Sequence, residues 1–240
     1  PDLVQTWMYH ADLVGGLVAR LMGVRVYWNI RHSDLSARDN SRTVRMVAWL
    51  CARLSRRIPE RIICCSWAGA RVHQLAGYAA ERFLVIGNGV DPSRYRPDPR
   101  ARAGVLRDLE LEPHARLVLC VARFDPQKNH AGLLSAWRAV RRDCPSAWLL
   151  LAGSGLSSDN MGVAALLARV GEGHRVCLLG PRRDIPDLMA ASDLLVLPSI
   201  HGEGFPNVLI EAMATGLPCV TSDVGDSARI VGDCGTVVPP

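Results

Sequence analysis

Residues 194–214 read L-L-V-L-P-S-I-H-G-E-G-F-P-N-V-L-I-E-A-M-A. A short apolar strand is followed by a glycine-containing loop and then by apolar residues at helical spacing, which predicts a strand–loop–helix unit. Glycines on both sides of Glu203 allow a ligand to approach the backbone closely. We expect Pro206 to occupy the first helical position, where no N–H donor is needed. The helix would then direct its free N–H groups toward an anion.

The same alternation of short apolar strands and helices runs along the whole chain and predicts an α/β protein with mostly parallel sheets. Glycine, asparagine and proline are dense around residues 87–99, which indicates turns or a linker. The predicted domains are residues 1–88 and 101–240, joined by a linker at 89–100. Ligands of such sheets bind at the carboxyl ends of the strands. The loops to inspect in the second domain follow Val121, Leu151, Leu179 and Leu197.

Composition narrows the class of protein. The net charge is +5, and Lys128 is the only lysine among 28 basic residues. No apolar stretch approaches the roughly 18 residues typical of a membrane-spanning helix. Eight cysteines occur without a C-x-x-C pair, most of them in apolar runs, so we expect free buried thiols and a reducing, cytoplasmic location. We expect no nucleic-acid partner.

Three of these loops contain candidate ligand-binding residues. Arg123 and Lys128 follow one strand, where two cations can clamp a diphosphate. The same residues are also compatible with a solvated loop whose charge is incidental. Gly180 and Arg182 follow another strand and could line a base pocket or form a charged surface turn. The Gly153-Ser154-Gly155 turn lacks the third glycine and the acidic partner of a dinucleotide fingerprint.

Glu203 and Glu211 lie just before and on the second turn of the helix predicted above. One carboxylate can accept hydrogen bonds from sugar hydroxyls while the other reaches ribose hydroxyls. A hydrolytic acid/base pair is disfavoured, because such carboxylates flank the scissile bond from two sides and these two share one helix.

These residues resemble a known family. Glu203 and Glu211, with seven residues between them, match the E-x7-E motif of retaining glycosyltransferases of family four. The run E-G-F-P-N-V-L-I-E-A-M-A-T-G at 203–216 is close to that family's signature. So are R-F-D-P-Q-K-N-H at 123–130, G-N-G-V-D at 87–91 and D-V-G-D-S-A-R-I-V at 223–231. The matches follow the family's order over nearly the whole chain.

The resemblance implies the GT-B fold, in which two Rossmann-like domains face each other across a cleft. It implies transfer of a sugar from a nucleotide-sugar donor, with retention at the anomeric carbon, to a glycan or lipid-linked acceptor. The leaving phosphate would take the acceptor proton, so neither a cofactor nor a metal is expected. The implied catalytic residues are His32, Arg123, Lys128 and Glu203. Predicted donor-binding residues are Gly180, Arg182, Gly204, Phe205, Pro206, Asn207, Val208 and Glu211, and His10 is a predicted acceptor-side contact.

One basic segment bears on membranes. Residues 38–61 contain seven arginines against two acids, and their apolar positions recur at helical spacing. The helix either packs against a core with its arginines in water, or rests with Trp49 on anionic lipid at the inner face of the membrane.

Two further expectations remain open. Compared with the family, the chain begins late in the first domain and lacks the closing helices, which predicts poor catalysis by these 240 residues alone. The alternatives in function are a GT-B nucleotide-sugar epimerase and a catalytically incompetent nucleotide-sugar-binding module.

Overall fold

A computed structural model describes residues 1–37, 40–171 and 173–240. The chain divides into two compact units. The first comprises residues 1–88 together with 202–205, and the second comprises 89–201 and 206–240. Arg38, the first residue of the predicted basic segment, lies outside the described residues.

The first unit is an α/β layer structure. Its elements are β1 (Leu3–Trp7), α1 (Met8–Leu21), β2 (Arg25–Ile30), α2 (Arg42–Leu54), β3 (Arg61–Cys64), α3 (Trp67–Leu75) and β4 (Phe83–Val85). Within the described residues these strands form a parallel sheet in the order β1-β2-β3-β4. Parallel strands require crossover connections, and the helices supply them.

The core of the first unit is built on its central strands. On β2, Trp28 and Ile30 are fully buried, and Ile62 on β3 packs in the same cluster. Strands buried on both faces read as near-continuous apolar runs, which is why the sequence identified them. Two of the crossover helices have side-chain caps, because Ser41 Oγ accepts from the Val44 N–H and Ser66 Oγ from the Gly69 N–H.

The second unit repeats this construction on a larger scale. Its elements are α4 (Ala101–Asp108), β5 (Arg116–Val121), α5 (His130–Asp143), β6 (Ala147–Ala152), α6 (Met161–Val170), β7 (Val176–Gly180), α7 (Ile185–Ala191), β8 (Leu194–Leu197), α8 (Asn207–Ala214), β9 (Cys219–Ser222), α9 (Ser227–Val231) and β10 (Gly235–Val238). In the described part of the chain the parallel sheet runs β10-β9-β8-β5-β6-β7. The strand order reverses between β5 and β8, which is the doubly wound dinucleotide-fold order.

Three elements differ from the sequence prediction. Helix α4, whose Val105 and Leu106 are buried and which packs against α7, was not predicted, and neither were α9 and β10. The placement of Pro206 was wrong by one residue: α8 begins at Asn207, and Pro206 precedes it with an extended ψ of 106°. The fixed φ of proline suits this preceding position as well, and its carbonyl accepts from the Leu209 N–H at 3.2 Å.

The cysteines are free thiols, and all eight lie among the described residues. Cys51, Cys64, Cys65, Cys120 and Cys219 are buried, whereas Cys234 is exposed. The expectation that most behave as small buried apolar side chains is therefore met for these five.

A buried carboxyl makes the stability of the first unit depend on pH. Asp12 on α1 is fully buried and accepts from Thr6 Oγ1 at 2.5 Å. Burial raises the pKa of this carboxyl to about 7. The folded protein therefore binds the proton more tightly than the unfolded chain does, so the stabilisation from this group is complete below about 3.8 and is lost as the pH rises toward about 7.

We expect Asp12→Asn, which cannot ionise, to gain stability relative to the parent protein as the pH rises from about 4 to about 7. The gain should be roughly 1.4 kcal/mol for each tenfold difference in proton affinity between the folded and the unfolded chain. Urea unfolding at several pH values measures this difference. Asp2→Asn, at an exposed position, is the control and should follow the parent profile. Parallel profiles for Asp12→Asn and the parent would show that Asp12 stays ionised when buried.

Candidate functional site

The reversal of strand order in the second unit defines where its ligand site lies. Because β5 and β8 are hydrogen-bonded neighbours, the loops that follow them leave the sheet side by side. In open α/β sheets the ligand crevice forms at this point, outside the carboxyl ends of the strands. The loop after β5 carries Arg123 and Lys128, and the chain after β8 leads to α8 and Glu211.

Backbone hydrogen bonds fasten the loops after β5, β6 and β7 to one another. The Phe124 N–H donates to the Ser154 carbonyl at 2.7 Å, and the Gly153 N–H donates to the Gly180 carbonyl at 2.8 Å. Gly153 has a φ of +150°, and a Cβ there would lie 2.0 Å from the Ala122 carbonyl oxygen. Only glycine fits this crossing. The G-S-G turn therefore serves to hold the loops together, and Gly180 is part of that assembly.

The loop after β5 is ordered by its own side chains. Asp125 accepts from the Gln127 N–H at 2.9 Å and from Arg123 Nε at 3.0 Å. The Gln127 N–H and the Arg123 guanidinium lower the pKa of the Asp125 carboxyl. Lys128 closes the short 3₁₀ turn, and Asn129 adopts the left-handed conformation and caps α5. The Ile200 N–H donates to the Gln127 carbonyl at 2.9 Å and so joins this loop to the one after β8.

Helix α8 starts with Asn207 and Val208, both at the carboxyl edge of the sheet, and places Glu211 one turn further on. Burial raises the pKa of the half-buried Glu211 carboxyl, while hydrogen bonding from the Tyr95 hydroxyl and the charge of Arg94 oppose that shift. Tyr95 and Arg94 were missed in the sequence. They lie far from Glu211 along the chain, and the only signal was their place three and four residues after the G-N-G-V-D run ends at Asp91.

Arg182 is also at this edge of the sheet and is engaged with a neighbour. Its guanidinium donates through Nε to Asp184 Oδ1 at 2.8 Å and forms a second bond to the other carboxylate oxygen. Bidentate pairing of this kind fixes the plane of the guanidinium. Arg182 thus has an orienting partner that its place in the sequence did not reveal.

The remaining predicted residues belong to the first unit. His32 follows β2 and is partly buried, and its Nδ1 lies 3.4 Å from the Tyr9 hydroxyl. His10 is exposed on the first turn of α1. Glu203, Gly204 and Phe205 are grouped with this unit, and Glu203 is buried. Ser33 Oγ donates to the Gly202 carbonyl at 3.3 Å, which holds the start of this segment.

The structure therefore sorts the predicted residues into two sets. Those at the carboxyl edge of the second sheet are Arg123, Lys128, Gly180, Arg182, Pro206, Asn207, Val208 and Glu211. The first unit holds His10, His32, Glu203, Gly204 and Phe205. Among residues 1–37, 40–171 and 173–240, no three His, Cys, Asp or Glu side chains are grouped so that they could hold a metal ion.

Residues 115–240 match the family described as Glycosyl transferases group 1, and residues 1–94 match Glycosyltransferase Family 4. The chain belongs to this glycosyltransferase family. The α/β architecture with two parallel sheets matches solved GT-B glycosyltransferases, so the prediction of that fold class is confirmed.

The chain can be compared with particular relatives in this family. It is 28% identical to the Escherichia coli UDP-Gal:alpha-D-GlcNAc-diphosphoundecaprenol alpha-1,3-galactosyltransferase over 96% of this chain and 60% of that protein. It is 35% identical to the D-inositol 3-phosphate glycosyltransferase of Segniliparus rotundus over 67% of this chain and 36% of that protein. The structure of Anabaena Alr3699/HepE in complex with UDP superposes with a TM-score of 0.86 at 28% identity, covering 100% of this chain and 65% of that one. The chain thus spans less than two thirds of these relatives.

Because the loops after β5 and β6 cross closely at Gly153, we predict that this position is sensitive to substitution. We expect Gly153→Ala to lower the free energy of unfolding by more than about 2 kcal/mol and to weaken nucleotide binding, because the new methyl group forces the β5 and β6 loops apart. Chemical unfolding and nucleotide titration measure the two effects.

Gly216→Ala is the matched control, since Gly216 also has a positive φ, of +75°, but a Cβ there would meet only Pro97 Cγ, at an ordinary contact distance of 3.7 Å. It should cost only about 1 kcal/mol of backbone strain. Equal losses for the two variants would mean that φ strain, and not the crossing of the loops, makes Gly153 necessary.

Proposed function

We propose that this chain is part of a retaining glycosyltransferase that transfers a sugar from a UDP-sugar to a lipid-linked or glycan acceptor. The observation that supports it most directly is the junction in the second unit where the loop carrying Arg123 and Lys128 is hydrogen-bonded, through Gln127 and Ile200, to the chain leading into α8. This junction lies at the reversal of strand order, where doubly wound sheets bind nucleotides.

Each part of this edge has a role in the proposal. Arg123 and Lys128 neutralise the donor diphosphate, and Glu211 accepts from the ribose hydroxyls. The backbone N–H groups in the first turn of α8 add a positive dipole end. Gly180 and Arg182 border the base. Family resemblance to a UDP-bound Anabaena structure favours uracil over guanine as that base.

The proposed chemistry is electrostatic. The acceptor hydroxyl attacks the anomeric carbon on the face that the diphosphate leaves, and a phosphate oxygen takes the acceptor proton. Stabilising the departing diphosphate then supplies most of the rate, and fixed cations and N–H dipoles do this without reorganisation. We assign Glu203 to the transferred sugar and His32 to the neighbourhood of the reacting carbon. In this scheme the charge on the diphosphate is met by protein groups, and no divalent metal is required.

A lipid-linked acceptor is favoured by the relatives. The Escherichia coli protein is named for a diphosphoundecaprenol acceptor, and another, from Rhizobium meliloti, is named a lipopolysaccharide core mannosyltransferase. We therefore propose a role in polysaccharide or glycolipid synthesis, with His10 as an acceptor-side contact.

A nucleotide panel tests the donor assignment. In thermal-shift and calorimetric titrations we expect UDP to bind more tightly than GDP, ADP or NAD. Lys128→Met should weaken UDP binding roughly ten- to a hundred-fold, as expected for loss of a charge-assisted contact of about 1.5–3 kcal/mol, and should leave uridine binding nearly unchanged. Glu211→Gln should weaken UDP and uridine alike.

Arg138→Met is the control, because Arg138 is an exposed cation on the outer face of α5. Preferential binding of NAD would contradict the donor assignment. Binding of UDP-sugars with release of free sugar or its epimer, without an acceptor, would identify an epimerase. Binding without any turnover in a chain as long as the relatives would identify a binding module.

The surface of α2 bears on the proposed location at the inner face of the membrane. Its inner face buries Val47, Ala48, Cys51 and Ala52 in the core of the first unit. Its outer face leaves Met46 and Trp49 more than half exposed, and the Arg53 guanidinium lies 4.5 Å from the Trp49 ring centroid. One face of α2 thus packs in the core, while basic and aromatic side chains lie in solvent, and the contact with lipid stays a prediction. Among the described residues, none of the helices combines the length and the apolar character needed to cross a bilayer.

If α2 rests on anionic lipid, neutralising Arg53, Arg56 and Arg57 together should reduce co-sedimentation with phosphatidylglycerol vesicles several-fold, since each basic residue near such a surface contributes about 1 kcal/mol. The matched control neutralises three exposed arginines of the second unit, Arg107, Arg138 and Arg142. Equal binding of both triple variants and the parent would refute a specific lipid contact at α2.

A further inference from the structure

Three elements of the first unit bring ring side chains together. Tyr9 enters from the start of α1, His32 from the loop after β2, and His73 from α3. The Tyr9 hydroxyl lies 2.9 Å from His73 Nε2 and 3.4 Å from His32 Nδ1. His73 Nδ1 lies 2.7 Å from the Gly69 carbonyl oxygen. These contacts form one continuous chain from a backbone carbonyl to His32.

The chain has a fixed direction. A carbonyl oxygen can only accept, so His73 Nδ1 carries a proton and donates to Gly69. His73 is fully buried, and burial lowers its pKa to about 4, so the ring is neutral near pH 7. Its Nε2 therefore has no proton and accepts from the Tyr9 hydroxyl. The single hydroxyl proton of Tyr9 is then used, and the contact with His32 requires His32 Nδ1 to be the donor.

We propose that Tyr9 and His73 are positioning residues that select, for the neutral form of the His32 ring, the tautomer protonated on Nδ1, so that Nε2 is the ring nitrogen available to accept a hydrogen bond from a ligand hydroxyl. His32 thereby meets its ligand as an acceptor and not as a donor. The functional part of this inference rests on the proposed role of His32 in sugar transfer. The tautomer itself is a property of the unliganded protein.

The local backbone geometry supports a fixed arrangement of these three rings. Met8, the first residue of α1, adopts a positive φ of 68°, a strained conformation for a residue with a side chain. The next residue, Tyr9, is 2% exposed, whereas Trp7 is 52% exposed. The turn thus sends the tyrosine inward and the tryptophan outward. Gly69 lets α3 approach the loop after β2, since a Cβ there would lie 3.1 Å from the His32 carbonyl oxygen.

The test is a long-range proton–nitrogen correlation spectrum of the ¹⁵N-labelled 240-residue chain near neutral pH, which separates protonated from unprotonated ring nitrogens. His32→Gln and His73→Gln assign the two rings among the seven histidines. We expect both rings of the parent protein to be protonated on Nδ1. In Tyr9→Phe, His73 should keep this form through Gly69, whereas most of His32 should convert to the form protonated on Nε2.

Tyr27→Phe is the matched control, because Tyr27 is a second tyrosine of the first unit whose hydroxyl donates to Glu60 at 3.1 Å. It should leave both rings unchanged. A parent spectrum with His32 protonated on Nε2 overturns the proposal, and so does an unchanged His32 signal in folded Tyr9→Phe. If that variant does not fold, the parent spectrum decides alone. The result is independent of nucleotide binding, so failure of the proposed transferase function would be seen separately.

Discussion

The ligand-binding edge of the second unit depends on one close backbone crossing. At Gly153 the loop after β6 passes the Ala122 carbonyl so closely that no side chain fits, and this approach permits the hydrogen bonds that join the loops after β5, β6 and β7. The loop that carries Arg123 and Lys128 is therefore fixed by backbone hydrogen bonds to its neighbours as well as by the Asp125 side chain. A site that binds a charged, flexible ligand gains from such rigidity, because little ordering remains to be done on binding.

In both units the candidate functional side chains lie at the same topological position. In each, polar side chains follow the carboxyl ends of parallel strands and the starts of helices, where backbone groups have no partner within the element. In the first unit Tyr9 and His32 lie at this edge, and they share hydrogen-bond contacts with His73 from the last turn of α3. The second unit uses this edge to collect cations and helix N–H groups. The family match accounts for the shared architecture.

Much of this could be anticipated from the sequence. Strands such as Arg25–Ile30 and Leu194–Leu197 are apolar enough to stand out, and the motifs predicted Glu211 and Lys128, which the structure places at the carboxyl edge of the second sheet. Helix α4 was missed because only Val105 and Leu106 are buried and its polar residues resemble the linker before it. The partners Tyr95 of Glu211 and Asp184 of Arg182 illustrate a second limit. Tyr95 contacts Glu211 although the two residues are far apart along the chain. Arg182 can face solvent, a ligand or a neighbouring carboxylate, and residue spacing does not decide among these.

The ion pair between Arg123 and Asp125 has an entropic consequence for anion binding. Asp125 accepts from Arg123 Nε at 3.0 Å and so fixes the direction of an arginine side chain that is 61% exposed. A guanidinium has five N–H donors, and those that Asp125 does not use remain able to meet a second anion. Immobilising an arginine side chain costs up to about 2 kcal/mol of rotamer freedom. Because the carboxylate within the same loop has already ordered this side chain, less of that entropy remains to be lost when an anion binds.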